Sequence, residues 1–248
     1  MKKILGIFAV TLLWLSAGEI NIAVAANVSY VIEPLKEAFY ETNPQTKVNV
    51  ILGSSGKLTA QINAGAPYQL FLSANMSYPQ KLYDDNLTLD RPKIYAQGAL
   101  AILSSKTRDF NDSLAVLEDE DIQKIAIANP KTAPYGQAAV EALKNAKLYE
   151  KLESKLVYGE SVSQTVIYAS SAADIGLVAK SALFSKQMSG YKEKQHWTEV
   201  DTKLYTPIDQ GLVILKSAKE NVEVQAFYDF LLSPKAKEIF KAYGYGTL

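Results

Sequence analysis

Six short apolar runs punctuate this chain, at 20–25, 48–52, 69–73, 125–128, 156–158 and 175–178, and they leave few architectures open. Each has the length of a buried strand and is too short for a buried helix. Most are followed by a stretch in which apolar residues recur at spacings of three and four, as at 28–40, 57–64, 137–146 and 163–170. That spacing makes a helix with one buried face. Strand followed by helix, repeated, packs as parallel strands with helices laid over both faces. The sequence therefore predicts an α/β protein in which each sheet is mainly parallel and flanked by helices.

Two longer β-rich stretches, 96–104 and 204–216, interrupt this alternation about 100 residues apart, and Gly98, Pro207 and Gly211 within them ease bending. They read as crossovers between two lobes. The simplest division puts 18–96 and 208–248 in one lobe and 97–207 in the other. Near the C-terminus, helical patterns at 222–232 and 235–243 are separated by Ser233-Pro234, a stop and restart.

The start of the chain reads differently. Met1-Lys2-Lys3, an apolar run at 4–15 and the small residues Ser16-Ala17-Gly18 have the layout of a secretory signal peptide, here taken as 1–17. Twelve apolar residues fall short of the ~20 that a membrane span needs, so no transmembrane helix is expected. Removing the signal leaves about 230 of the 248 residues, enough for one large domain or two modest lobes. Cysteine is absent, which excludes disulfides, thiolate metal sites, a thiol nucleophile and a lipid-modified cysteine anchor. A protein free in the periplasm follows. The 26 basic residues balance the 26 acidic ones, so there is no electrostatic footprint for nucleic acid. The acidic run Glu118-Asp119-Glu120-Asp121 lacks the glycine and alternating oxygen ligands of a calcium loop and reads as a solvated face.

In open α/β sheets ligands bind beyond the carboxyl ends of the strands, where helix N-termini present free N–H groups and partial positive charge. Four strand-to-helix junctions carry small or polar residues suited to an anion: Ala26-Asn27, Gly53-Ser54-Ser55-Gly56, Ala133-Pro134-Tyr135-Gly136 and Glu160-Ser161-Val162-Ser163. Two fall in each lobe, so a ligand in the cleft would be gripped from both sides. A dehydrated oxyanion needs many donors, and neutral N–H and O–H groups supply them without a countercharge. Each junction also has an ordinary reading. Asn27, Ser55 and Ser161 are good N-caps, Pro134 is a common helix-start residue, and Tyr135 and Val162 are packing side chains. The residues by themselves identify neither the anion nor a family.

Enzyme readings are weaker. Ser54-Ser55-Gly56-Lys57 matches the Ser-x-x-Lys of penicillin-recognising hydrolases, but neither Lys-Thr-Gly nor Ser-Asp-Asn occurs. As a phosphate loop Gly56-Lys57 fails, because Leu58 stands in place of Ser or Thr and Ile51 in place of the first Gly. His196 is the sole histidine, beside Trp197 and without a metal-ligand partner at helical spacing, and reads as a surface or packing residue.

At these junctions the chain resembles the periplasmic molybdate-binding proteins of ABC transporters. The likeness runs through the mature sequence and is carried by Ala25-Ala26-Asn27, Gly53-Ser54-Ser55-Gly56, QINAGAPYQLFLSAN at 61–75, NPKTAPYG at 129–136, Gly176-Leu177-Val178-Ala179 and 227–245. The resemblance implies a two-lobed type II periplasmic binding protein fold that buries molybdate or tungstate between its lobes and delivers it to a membrane permease. By position, Asn27 stands where many members have a ligand-holding serine, Ser55 matches the second-turn serine, and Tyr135 and Val162 match residues that donate backbone N–H. No cofactor and no direct protein coordination of the metal are implied, since the metal sits inside the oxyanion. The chain departs from some members at Ala179, where they carry a tyrosine whose phenol reaches the ligand. Another branch combines Asn at the first turn with Ala-Pro-Tyr-Gly and Ala here, which leaves the Asn27 side chain as a substitute donor.

The nearest rival is the same fold with another ligand. Ferric ion would call for several tyrosinate, carboxylate or histidine ligands, and the turns offer one tyrosine. An organic acid would call for an arginine clamp, and Arg91 and Arg108 lie elsewhere. Sulfate stays open. A monomer whose lobes close on the anion is expected, with the Ser-x-x-Lys hydrolase as a remote third reading.

Overall fold

The computed structural model describes residues 18–111 and 113–246; the expected signal peptide at 1–17 lies outside the described residues. In chain order the strands are β1 (Glu19–Ala25), β2 (Lys47–Gly53), β3 (Leu70–Leu72), β4 (Lys93–Gly98), β5 (Leu100–Leu103), β6 (Ile125–Ala128), β7 (Leu156–Gly159), β8 (Ile175–Ala179), β9 (Trp197–Glu199) and β10 (Ile208–Ile214). The helices are α1 (Ile32–Tyr40), α2 (Ser55–Asn63), α3 (Ser77–Asp84), α4 (Pro134–Asn145), α5 (Tyr149–Leu152), α6 (Val162–Ser171), α7 (Val222–Leu231) and α8 (Pro234–Ala242).

The strands form two five-stranded sheets, ordered β2-β1-β3-β10-β4 and β7-β6-β8-β5-β9. Each has the same plan. Three strands fed by strand-helix units pair in parallel, β2-β1-β3 in one sheet and β7-β6-β8 in the other. The remaining two, β10-β4 and β5-β9, join them antiparallel. The sheets are thus mixed, and the expectation of mainly parallel sheets holds only for the half that binds through helical crossovers. The antiparallel half contains the segments in which the chain changes sheet, leaving the first after Gly98 and re-entering it at Ile208.

Alternation along the strands explains how helices cover both faces, because successive side chains point to opposite sides. In the first sheet Ile22, Val24, Leu70 and Leu72 pack with Leu35 and Phe39 of α1, Phe227 of α7 and Phe240 of α8. Their neighbours Ala23 and Phe71 pack on the other side with Leu58 and Ile62 of α2 and Leu82 of α3. The second sheet repeats the arrangement: Ile102, Ile125, Ile127 and Leu177 meet Ala139, Ala142 and Leu143 of α4, while Ala101, Leu103 and Val178 meet Val166 and Ala169 of α6. The Phe39 and Phe227 rings meet edge to face at 4.9 Å, a favoured aromatic geometry that fixes α1 against α7.

Helix starts differ from the apolar spacing in a consistent way. Helices α2, α4 and α6 begin at Ser55, Pro134 and Val162, one to three residues before the patterns at 57–64, 137–146 and 163–170. Within 28–40, a 3-10 turn, Ala26–Tyr30, precedes α1. The stretch 96–104 divides at Ala99 into β4 and β5, which belong to different sheets. The stop at Ser233-Pro234 is built as follows: Ser233 Oγ accepts the Ala236 amide at 3.3 Å and Pro234 opens α8. His196 packs edge-on to Tyr191 and its Nδ1 accepts the Lys192 amide at 3.1 Å.

Candidate functional site

A small cavity lies where the two sheets face each other. All four sequence-predicted site residues, Asn27, Ser55, Tyr135 and Val162, line it, together with Ser54 and the small residues Ala25, Ala26, Ala74 and Ala133. Its volume of about 10 Å³ leaves room for one small guest and is far below the ~300–1,000 Å³ of clefts that take organic ligands. A compact ion fits that scale.

Four chain segments aim their first turns at this point. Asn27 sits in the 3-10 turn after β1, Ser55 opens α2 after β2, Tyr135 is the second residue of α4 and Val162 opens α6 after β7. The earliest amides of a helix have no intrahelical acceptor. In α2 the Gly56 amide is taken by Thr132 O at 2.9 Å and the Leu58 amide by Ser54 O at 3.0 Å, which leaves the Ser55 and Lys57 amides, and of the two residues Ser55 lines the cavity. In α4 Pro134 has no N–H, and the Gly136 and Gln137 amides both go to Ala133 O, which singles out Tyr135 N–H. In α6 the cap Ser161 takes the Gln164 amide on its Oγ at 3.3 Å and the Thr165 amide on its carbonyl at 3.0 Å, which leaves the Val162 and Ser163 amides, and of the two residues Val162 lines the cavity. Close approach at the α4 start depends on Gly136, since a Cβ there would lie 2.1 Å from Ala128 O.

Side-chain donors add to these. Ser55 Oγ accepts the Ala74 amide at 2.9 Å, so its own proton remains to be given. Ser54 Oγ is buried, makes no cap bond and has no partner. Asn27, expected as a substitute donor, is tied into the protein by its side chain. Both its Nδ2 hydrogens are directed into the protein, to Gln210 Oε1 at 2.9 Å and Tyr245 Oη at 3.0 Å, and its buried Oδ1 is without a partner. The Tyr135 phenol is bonded to Gln210 Nε2 at 3.2 Å, consistent with a backbone contribution from that residue. Burial pushes the phenols of Tyr135, Tyr95 and Tyr245 up, so they stay protonated and neutral.

None of the lining residues is ionisable except Tyr135, so positive potential comes from helix starts rather than from a cation. Lys57 is turned outward, with Nζ 2.9 Å from Glu160, and both partners are substantially exposed. Ser54 Oγ has no base beside it, and the Ser-x-x-Lys pair is therefore not assembled. The lobes are joined around the cavity by further bonds: Ser163 Oγ donates to Ala26 O at 2.7 Å and Ser181 Oγ to Asn27 O at 3.1 Å. Sequence reasoning singled out the Ser54-Ser55-Gly56 turn but named only Ser55 in it as a contact, and it missed Gln210, Tyr95 and Tyr245. Nothing local marks those three, which reach Asn27 or one another across 115 to 218 residues of sequence.

A model of the bacterial extracellular solute-binding proteins matches residues 20–246. The molybdate-binding protein ModA of Rhodobacter capsulatus is 39% identical over 236 residues, covering 94% of this chain and 90% of its own. That of Azotobacter vinelandii is likewise 39% identical, over 93% of this chain and 90% of its own. The solved structure of the Azotobacter vinelandii periplasmic molybdate-binding protein superposes with a TM-score of 0.86 over 92% of this chain and 99% of that one, at 33% identity.

Proposed function

Because the chain belongs to the bacterial extracellular solute-binding protein family, we propose that it captures molybdate in the cavity between its lobes and presents it to an ABC permease for import. The observation that carries this reading is the convergence of free main-chain N–H groups from the first turns of α2, α4 and α6, with the Ser55 hydroxyl, on one small cavity without a formal charge. A tetrahedral dianion satisfies such a site. Each oxygen can accept from a different element, and no desolvated countercharge is needed. Relatives named for molybdate binding support the choice of anion. Asn27, Ser55, Tyr135 and Val162 are the proposed contacts, with Ser54 added as a fifth because its buried hydroxyl has nothing else to bond.

The protein acts as a monomer in the periplasm and performs no chemistry on its ligand. Tungstate, equal in shape and charge, binds alike; sulfate is smaller and stretches the hydrogen bonds from one lobe. Titration calorimetry of the mature protein with molybdate, tungstate, sulfate and phosphate tests the reading. Molybdate and tungstate should bind most tightly, sulfate more weakly and phosphate weakest. Phosphate binding as tightly as molybdate at neutral pH would overturn a site made of donors. Sulfate binding more tightly than molybdate would move the protein to the rival ligand.

A further inference from the structure

Behind Asn27, a buried polar cluster ties the cavity to the strands where the chain changes sheet. Gln210, on β10, is fully buried. Its Oε1 accepts from Asn27 Nδ2 and from Tyr95 Oη, at 2.9 and 2.7 Å, and its Nε2 donates to Tyr135 Oη at 3.2 Å. Three capacities go unanswered in this arrangement. Asn27 Oδ1 has no donor, the Tyr135 phenol proton faces another donor, and the second Nε2 hydrogen of Gln210 has no acceptor.

Rotating both amides by half a turn exchanges N for O at unchanged positions; it answers all three and leaves the two hydrogens of Asn27 Nδ2, at the former Oδ1 position, without a protein acceptor. Gln210 Oε1 then accepts the Tyr135 proton, and Gln210 Nε2 donates to Tyr95 Oη and Asn27 Oδ1. The Tyr95 proton turns to Ser73 O, 3.4 Å away. Tyr245 Oη, which otherwise donates to the Asn27 carbonyl at 2.9 Å, turns its proton to Asn27 Oδ1, and Ser181 Oγ continues to serve that carbonyl at 3.1 Å. What changes at the cavity is the end of Asn27 it meets: Nδ2 with two hydrogens in place of Oδ1.

We propose that Gln210 is a specificity-determining residue, which by setting the orientation of the Asn27 amide decides whether the cavity takes a proton-free or a proton-bearing oxyanion. With Nδ2 inward, the site donates to a bare dianion and leaves the proton of hydrogen phosphate without an acceptor. With Oδ1 inward, it repels the dianion and accepts that proton. Gln210 touches neither anion and acts through Asn27, so it is a positioning residue. The inference rests on the oxyanion reading given above.

The test is Gln210→Glu at pH 8, measured by calorimetry with molybdate and with phosphate as competitor. A carboxylate only accepts, so it holds Asn27 Nδ2 toward itself and Oδ1 toward the cavity. The molybdate-over-phosphate affinity ratio should fall by about tenfold or more, the effect of one charge-assisted hydrogen bond. In an Asn27→Ala background the same substitution should leave the ratio unchanged, because the element it acts through is gone. Equal weakening of both anions, or a ratio that still falls without Asn27, would overturn the proposal. Should Gln210→Glu not fold, side-chain amide signals of the ¹⁵N-labelled parent decide: those of Asn27 and Gln210 should both shift on adding molybdate, and unmoved signals would refute coupling. If the parent takes sulfate but not molybdate, the proposed ligand falls, and the sulfate-over-phosphate ratio still decides the role of Gln210.

Discussion

Replacing Val162 with proline removes one main-chain N–H from the cavity at small cost to the fold, which makes it the cleanest probe of backbone recognition. Val162 is the first residue of α6, where the amide has no helical acceptor and where proline is well tolerated. The preceding Ser161 has φ −145° and ψ 165°, extended backbone compatible with a following proline, and its cap bond to Gln164 N is unaffected. What is lost is a hydrogen bond to a charged ligand, about 1.5–3 kcal/mol or roughly tenfold to a hundredfold in affinity. Val162→Ala is the paired control. Its side chain is only 4% exposed and packs in the core of the second lobe; deleting two methyl groups at ~0.8 kcal/mol each costs roughly 1.6 kcal/mol of stability. Calorimetry with molybdate and thermal melts of the ligand-free proteins separate the two. Val162→Pro should lose affinity with a modest drop in Tm, while Val162→Ala should lose Tm and keep affinity. A proline variant that binds like the parent, or an alanine variant that loses affinity as badly as proline, would refute the backbone role.

Three further outcomes follow from the same geometry. Ser55→Ala should weaken molybdate binding by about tenfold to a hundredfold, and should also lower ligand-free stability by ~1–3 kcal/mol because the buried Ala74 amide loses its acceptor; calorimetry and melts read both. Lys57→Ala removes an exposed ion pair to Glu160 of the kind that contributes about 0.2–1 kcal/mol, so affinity measured in low salt should change less than about fivefold. Burial works to raise the Asp174 carboxyl, but the Gln123 and Lys124 amides it accepts and the charges of Lys106 and Arg108 outweigh this and hold it below its usual value. Its stabilising contribution is therefore complete above the unfolded value, about 3.9, and is lost as pH falls through the lower folded value. Denaturation of parent and Asp174→Ala should differ at pH 7 and converge toward pH 2, and an undiminished gap in acid would contradict the assignment.

Much of this architecture was legible because it is local. The run at 125–128 is bounded as β6 to the residue, since four consecutive apolar residues between polar ones leave no other buried segment. The four turns that line the cavity were legible for a similar reason: small residues between a strand and a helix mark where backbone must approach something closely. Strand direction was not, because β5 and the Leu212–Ile214 end of β10 are as apolar as their parallel neighbours and only tertiary pairing reverses them. Helix α3 was hidden by Pro79, which breaks the expected pattern yet is harmless in a first turn. Three-residue β9 carries too few residues for any period. Which end of the Asn27 amide meets the cavity was not legible, for the same reason that Gln210 was overlooked: it depends on partners 183 and 218 residues away.

Crystals of the mature protein grown with molybdate, measured at the molybdenum absorption edge, test the central claim most directly. The account predicts a single anomalous peak in the cavity bounded by the first turns of α2, α4 and α6, near the Ser55, Tyr135 and Val162 amides, with four oxygens around the metal and no protein atom bonded to it. A peak elsewhere, or a protein side chain in direct coordination with molybdenum, would contradict it.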